Sequence, residues 1–362
     1  MDLPKKNRYD FLRHFEKFVA VSSSGKRLQP NGKRISAATI KNYNNTLRLI
    51  YRFVSKTNFD LRLRRESCLN TREFELEMKY WKNFYSKFSD FLYNDLGCYD
   101  NYAGQNMKII KTFFSYLNKE TSIKPGNFHR FLYVRKEDVK LFPILPEELN
   151  FLIFDQDFES TLSKRMREVK DVFVFGCTVA LRVSDLLNLR KTDLKIVNHQ
   201  YYLAVRSQKT SQDTLIKLPQ YCIDIILKYN GIKKCLLPPF NKTNLNKYIK
   251  LLLEKAGMKQ EVRVIREKMG MPFELSNPRH KSKIFRTCDV ATTHTMRRTA
   301  ITMMLCLGMP EQLVRMISGH SPGTKEFYRY VLWAQVYQNK ELEKVFQKLE
   351  ISSLEKIDSR PG

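Results

Sequence analysis

The sequence predicts a mainly α-helical chain with a small β-hairpin in its second half, organised as two domains. Three observations carry this. A length of 362 residues exceeds one ordinary hydrophobic core. Apolar residues recur at steps of three and four along successive segments, the spacing of one helical face. One strand, polar turn and return strand falls between Gln200 and Leu218. Hydrophobic residues at 43% and aromatics at 12% supply a core for each domain.

The first domain is expected over residues 1–120. Ser36 is an N-cap for a helix whose inward stripe is Ile40, Tyr43, Leu47, Ile50 and Val54. A second helix carries Trp81, Phe84, Phe88, Phe91 and Leu92 and stops at Gly97. A third turns Met107, Ile110, Phe114 and Leu117 inward, leaving Lys108 and Lys111 outward beside Thr112 and Ser115. Lys41, Arg48 and Arg52 likewise fall on the outer face of the Ser36 helix. On a single helix such charges read as solvated surface. Their recurrence on successive helices, in a chain of formal net charge +27 and pI near 9.7, points instead to a polyanion. Lys41, Arg48, Arg52, Lys108 and Lys111 are therefore the candidate DNA contacts.

A membrane is the weaker partner, because the longest apolar runs, Val172 to Leu181 and Ala300 to Met309, are about half the roughly 20 residues that span a bilayer. MDLPKKNRYDF has no apolar signal core. Seven cysteines without a C-x-x-C pair read as reduced cytoplasmic thiols. No histidine has carboxylates or thiolates at ligand spacing, so neither a metal nor another cofactor is expected.

Residues 121–137, with Pro125-Gly126 and no helical period, are expected as an exposed linker, and the second domain over 138–362. Its first helix opens at Pro146-Glu147-Glu148, proline and acids both suiting a helix start. A buried helix from Val169 ends in Ala180-Leu181-Arg182-Val183-Ser184-Asp185. Arg182 stands among apolar neighbours, so it must meet an acid such as Asp185 or an external anion. Strands at Gln200–Arg206 and Thr214–Leu218 flank a polar turn that holds Lys209. The stretch Val262 to Ile284, basic around Gly270, reads as a hairpin or loop suited to DNA. Then come His294 and Arg297, three apart on one helical face, and Gly319-His320, which reads as a helix C-cap. Tyrosines follow at 328 and 330, and an amphipathic helix carries Leu342, Val345, Phe346 and Leu349.

This order of elements resembles the tyrosine recombinase (phage integrase) family. An arginine in A-L-R-x-S-[DE], a hairpin lysine, H-x-x-R, G-H and a tyrosine are matched by Arg182, Lys209, His294 with Arg297, His320 and Tyr330. The motif match covers roughly residues 140 to 350, and the helices from Tyr9 to Glu120 resemble the family's helical core-binding domain. The resemblance thus implies a two-domain architecture, a helical core-binding domain plus an α+β catalytic domain. The family's aromatic-x-basic-tyrosine-apolar pattern favours Tyr330 over Tyr328, with a one-residue insertion near Pro322-Gly323. Arg298 stands where many relatives carry histidine.

The chemistry follows from the groups. Two guanidinium forks can hold the non-bridging oxygens of a phosphodiester, imidazoles can donate hydrogen bonds and move protons near neutral pH, and a phenol can attack. The resemblance implies that Lys209 protonates the departing 5′-oxygen and that a 3′-phosphotyrosine conserves the bond energy. It also implies that the C-terminal helix docks on a neighbour, building a homo-tetramer on paired sites in double-stranded DNA, with accessory DNA-bending proteins as further partners. The function expected is site-specific integration, excision or inversion. The alternatives are type IB topoisomerase-like relaxation and a non-cutting DNA-binding regulator.

Overall fold

The computed structural model describes residues 8–358 apart from 141, 207–212, 279–280 and 322, with side chains in the last helix described through Asn339 and at 342, 343, 346 and 347. The chain divides into two compact units, 1–139 with 265–275, and 140–264 with 276–362. It is mainly helical with small antiparallel sheets, as the periodicity predicts.

In the first unit, β1 (Arg8–Asp10) pairs antiparallel with β2 (Arg62–Arg64). Between them lie α1 (Phe11–Ser23), capped by Asp10, and α2 (Ala37–Thr57), capped by Ser36, whose side chain accepts from the Thr39 amide. Next come α3 (Thr71–Asp90), opened by a reciprocal Asn70–Glu73 capping box, a π turn at Phe91–Asp95, and α4 (Asp100–Glu120). The aromatics close on one another. Phe15 and Phe113 centroids are 4.8 Å apart and Trp81 and Phe114 4.9 Å, all four essentially solvent-free. Each such ring contributes roughly 1.5–3 kcal/mol by burial, and none is available to stack on a base.

Two expectations are corrected here. Residues 121–137 are not an exposed linker: Ile123, Phe128 and Leu132 are buried in the aromatic core, and Asn118 bonds both the N–H and the C=O of Gly126. Their apolar residues are too irregularly spaced to register as a period, yet Ile123, Phe128 and Leu132 reach the core. Lys111 is not an outward cation either. It is half-buried and its ammonium donates to the Leu132 carbonyl at 3.2 Å. Lys41, Arg48, Arg52 and Lys108 are exposed.

The second unit begins with α5 (Pro146–Phe154), where the Glu148 carboxylate accepts from the Leu145 amide at 2.8 Å. It continues through α6 (Gln156–Thr161), α7 (Lys164–Val179) and the short α8 (Val183–Leu186). The sheet β3 (Leu194–Val197), β4 (Gln200–Arg206) and β5 (Asp213–Lys217) is a meander in that order, with Tyr202 opposite Lys217 and Arg206 opposite Asp213. Helices α9 (Gln220–Lys228) and α10 (Lys242–Lys255) lead to β6 (Glu261–Arg263). The hairpin β7 (Ile265–Lys268) and β8 (Met271–Glu274) leaves this unit, and β9 (Ile284–Arg286) returns to pair with β6. Helices α11 (Thr287–Val290), α12 (Thr293–Cys306), α13 (Glu311–Ser318) and α14 (Lys325–Asp358) complete it.

Helices α7 and α12 form the centre of this unit. Gly176 makes their approach possible, since a Cβ there would stand 2.6 Å from the Met296 sulfur and 2.9 Å from Leu186 Cδ2. That contact fixes the helix that carries His294 and Arg297. Among the described residues no helix is long and apolar enough to cross a membrane.

Candidate active site

Helix α7 ends at Ala180, whose φ of 55° is left-handed without glycine's freedom, in a fully buried position. The reversal turns the Ala180 carbonyl inward and throws Arg182 to the start of α8. Arg297, 6% exposed on α12, donates to that carbonyl at 2.7 Å and to the Ser318 carbonyl. Arg182 is half-buried and donates to the Gly319 carbonyl at 3.4 Å. The two guanidinium groups thus grip the ends of α7 and α13, and they line one crevice with Asp185, Val205, Thr214 and Ser318. Burial, then the neighbouring Arg182, brings the Arg297 pKa down to about 10.

His320 is presented by the end of α13. Gly319 is left-handed at φ 62°, and the His320 amide closes back on the Arg315 carbonyl at 3.0 Å, as the expected C-cap requires. Its Nδ1 lies 2.8 Å from Ser318 Oγ and 3.5 Å from an Arg297 nitrogen. Nδ1 thus sits between the Arg297 guanidinium and the Ser318 hydroxyl, which also donates to the Val314 carbonyl at 2.6 Å. A helix C-terminus would raise this imidazole's pKa. Burial and the cations Arg297, Arg182 and Arg315 win, holding it at about 4.

His294 is exposed in the first turn of α12, which Thr292 caps by accepting from the His294 amide at 3.2 Å. Its pKa is lowered by partial desolvation and then by Arg298, Lys242, Arg297 and Arg182, so it is neutral at pH 7. Tyr330, 9% exposed, packs in a satellite core of Ala300, Ile301, Val314 and Phe327. Its ring centroid is 6.0 Å from that of His320. Burial raises its pKa, opposed by Arg297, Arg298 and Arg329. Tyr328, two residues earlier, is 51% exposed and lies 5.5 Å from the Arg315 guanidinium.

The structure therefore brings Arg182, Arg297, His294, His320 and Tyr330 together from three separate stretches of the chain. Lys209 lies outside the described residues, and Val205 and Thr214 from the two arms beside it line the arginine crevice. Sequence reasoning missed Arg315 and Ser318. Both lie on the inward face of α13 with Val314, and a cation on an otherwise buried face is the signal that was there to find. The arrangement gathers two guanidinium groups and an imidazole beside a phenol, groups chemically suited to an anion.

No protein-family model and no curated protein matches the sequence. Solved structures do. A XerH site-specific recombinase bound to palindromic difH substrate in a post-cleavage complex is 13% identical, with TM-score 0.62 over 94% of this chain and 96% of that one. A lambda integrase tetramer bound to a Holliday junction is 15% identical, with TM-score 0.57 over 90% and 78%. The Tn1549 transposon integrase in complex with transposon right-end DNA is 14% identical, with TM-score 0.51 over 86% and 91%. The chain has the fold of these recombinases.

Proposed function

We propose that this chain is a tyrosine recombinase, a cytoplasmic DNA-associated enzyme that cuts and rejoins double-stranded DNA at specific sites. The observation that carries this reading is the convergence of Arg182, Arg297 and His320 beside Tyr330, on a fold shared with DNA-bound recombinases. The guanidinium groups neutralise the non-bridging oxygens, and the His320 imidazole reinforces them by hydrogen bonding as charge builds on phosphorus. The Tyr330 oxygen attacks in line, and its proton passes to His294, which its neighbours keep neutral. As the phosphorus–5′-oxygen bond breaks, Lys209 protonates the leaving oxygen. The 3′-phosphotyrosine is then reversed by a 5′-hydroxyl from another strand, so rejoining needs no nucleotide.

Exposed Lys41, Arg48, Arg52 and Lys108 are proposed to hold the phosphate backbone. Assembly into a tetramer on paired sites is supported by exposed Leu332, Val336, Leu342 and Phe346 along α14. The same unit holds an apolar groove lined by Leu215, Met303, Met304, Leu307, Met309 and Leu313 to receive such a helix. Incubation with random-sequence duplexes followed by denaturing electrophoresis tests the proposal. A covalent protein–DNA adduct at a restricted set of sites is expected. Absence of adduct leaves a DNA-binding regulator, and relaxation of unrelated supercoiled plasmid by the monomer makes it a topoisomerase.

A further inference from the structure

We infer that Arg315 is a positioning residue that fixes the arm between His320 and Tyr330 and thereby selects which of its two phenols reaches the phosphate. The inference rests on the nucleophile reading above. Arg315 is 8% exposed and spends its whole guanidinium on this arm and its base. Nε and one terminal nitrogen donate to Glu311 Oε1 at 2.7 and 2.6 Å. The other terminal nitrogen donates to the Ser321 carbonyl and to Thr324 Oγ1, each at 3.2 Å. Its flat face lies 4.0 Å from the Phe327 centroid and 5.5 Å from that of Tyr328. Phe327 in turn touches both His320, at 5.3 Å between centroids, and Tyr330, at 5.8 Å.

One side chain therefore grips the residue after the histidine, the residue that opens α14, and the ring wedged against both imidazole and phenol. Only a planar fork reaches all of these at once, and an ammonium would keep the charge and lose the geometry. His320 has its own anchors in Gly319 and Ser318, so it stays in place when the fork is removed. The arm does not. Tyr328 and Tyr330 ride on it together, and the cation over the exposed Tyr328 ring holds that phenol at the surface while Tyr330 is buried.

The test compares wild-type chain with Arg315→Gln and Arg315→Lys on a nicked duplex carrying a cleavage site recovered from random-sequence DNA. Rate at saturating DNA, half-saturating concentration and the adducted peptide are measured. Both variants are expected to form adduct about 10- to 100-fold more slowly, with half-saturation changed by less than about threefold, and with adduct on Tyr328 as well as Tyr330. Fold destabilisation alone would reduce the yield without moving the attachment site. Adduct confined to Tyr330 in both variants, or wild-type rates, overturns the inference. Should both fail to fold, Thr324→Val removes one anchor without unburying a cation and is read the same way. No adduct from the wild-type chain would sink the proposed function itself, a distinct result.

Discussion

Arg297 spends its donors on two carbonyls and an imidazole, none of them anionic, and in the proposed function a phosphate answers its charge. The imidazole records this most sharply. His320 is held near 4 in the free protein, so between that value and the ordinary 6.5 the unfolded chain binds more protons than the folded one. Its contribution to stability is complete above about pH 6.5 and is lost as pH falls through about 4. A phosphate in the crevice opposes the arginines, so DNA is expected to raise this pKa, as an NMR titration of the ring protons would show. An unchanged value in the complex would place the phosphate elsewhere. Most of this cluster was legible in the sequence, because His294, Arg297, Gly319-His320 and Tyr330 fall within 37 residues at fixed spacing. Arg315 was not, because its role comes from Glu311, Ser321, Thr324 and Phe327, which acquire meaning only when α13 and α14 meet.

At the scale of elements, the periodic helices and the β4–β5 hairpin were legible, and their failures of register are instructive. The apolar run through Ala180-Leu181 reads as continuing helix, yet α7 stops at Val179 because Ala180 adopts a left-handed conformation that its side chain does not advertise. The basic stretch before α12 was legible as a hairpin but not as part of the first unit, since that depends on partners far away in sequence. Arg266 is clasped by the buried Glu137 carboxylate, and Asp100, fully buried, accepts from the Met269 and Gly270 amides at 2.9 and 2.8 Å. The Tyr93 hydroxyl donates at 2.6 Å to the Asp100 oxygen that accepts from Met269. Asp100→Ala strands those donors and is expected to cost about 1–3 kcal/mol in urea unfolding. Amide exchange at Met269 and Gly270 should accelerate with it. Unaltered exchange there would mean the strand pairing of β7 with β8 alone holds the turn.

Over the whole molecule, the proposed function assigns the strength and salt dependence of DNA binding to a net charge of +27, and the meeting of copies to the apolar residues on α14. These two properties should separate. Leu332→Asp combined with Val336→Asp is expected to leave binding to one site within about threefold, since neither residue carries charge toward a phosphate. The variant should lose the higher-order complex on paired sites, read by light scattering of the DNA complex. Persistence of that complex would assign assembly to another surface. The composition points to a polyanion but not to an assembly, because an amphipathic helix that packs on its own unit and one that packs on a neighbour share the same sequence pattern.

One phenol facing one phosphate, held by arginines from separate stretches of chain, is the centre of the proposed chemistry. The most direct measurement is peptide mass spectrometry of the covalent DNA adduct, with Tyr330→Phe and Tyr328→Phe alongside. The expected result is attachment at Tyr330, no adduct from Tyr330→Phe despite intact DNA binding, and normal adduct from Tyr328→Phe. Adduct persisting in Tyr330→Phe and vanishing in Tyr328→Phe would contradict it.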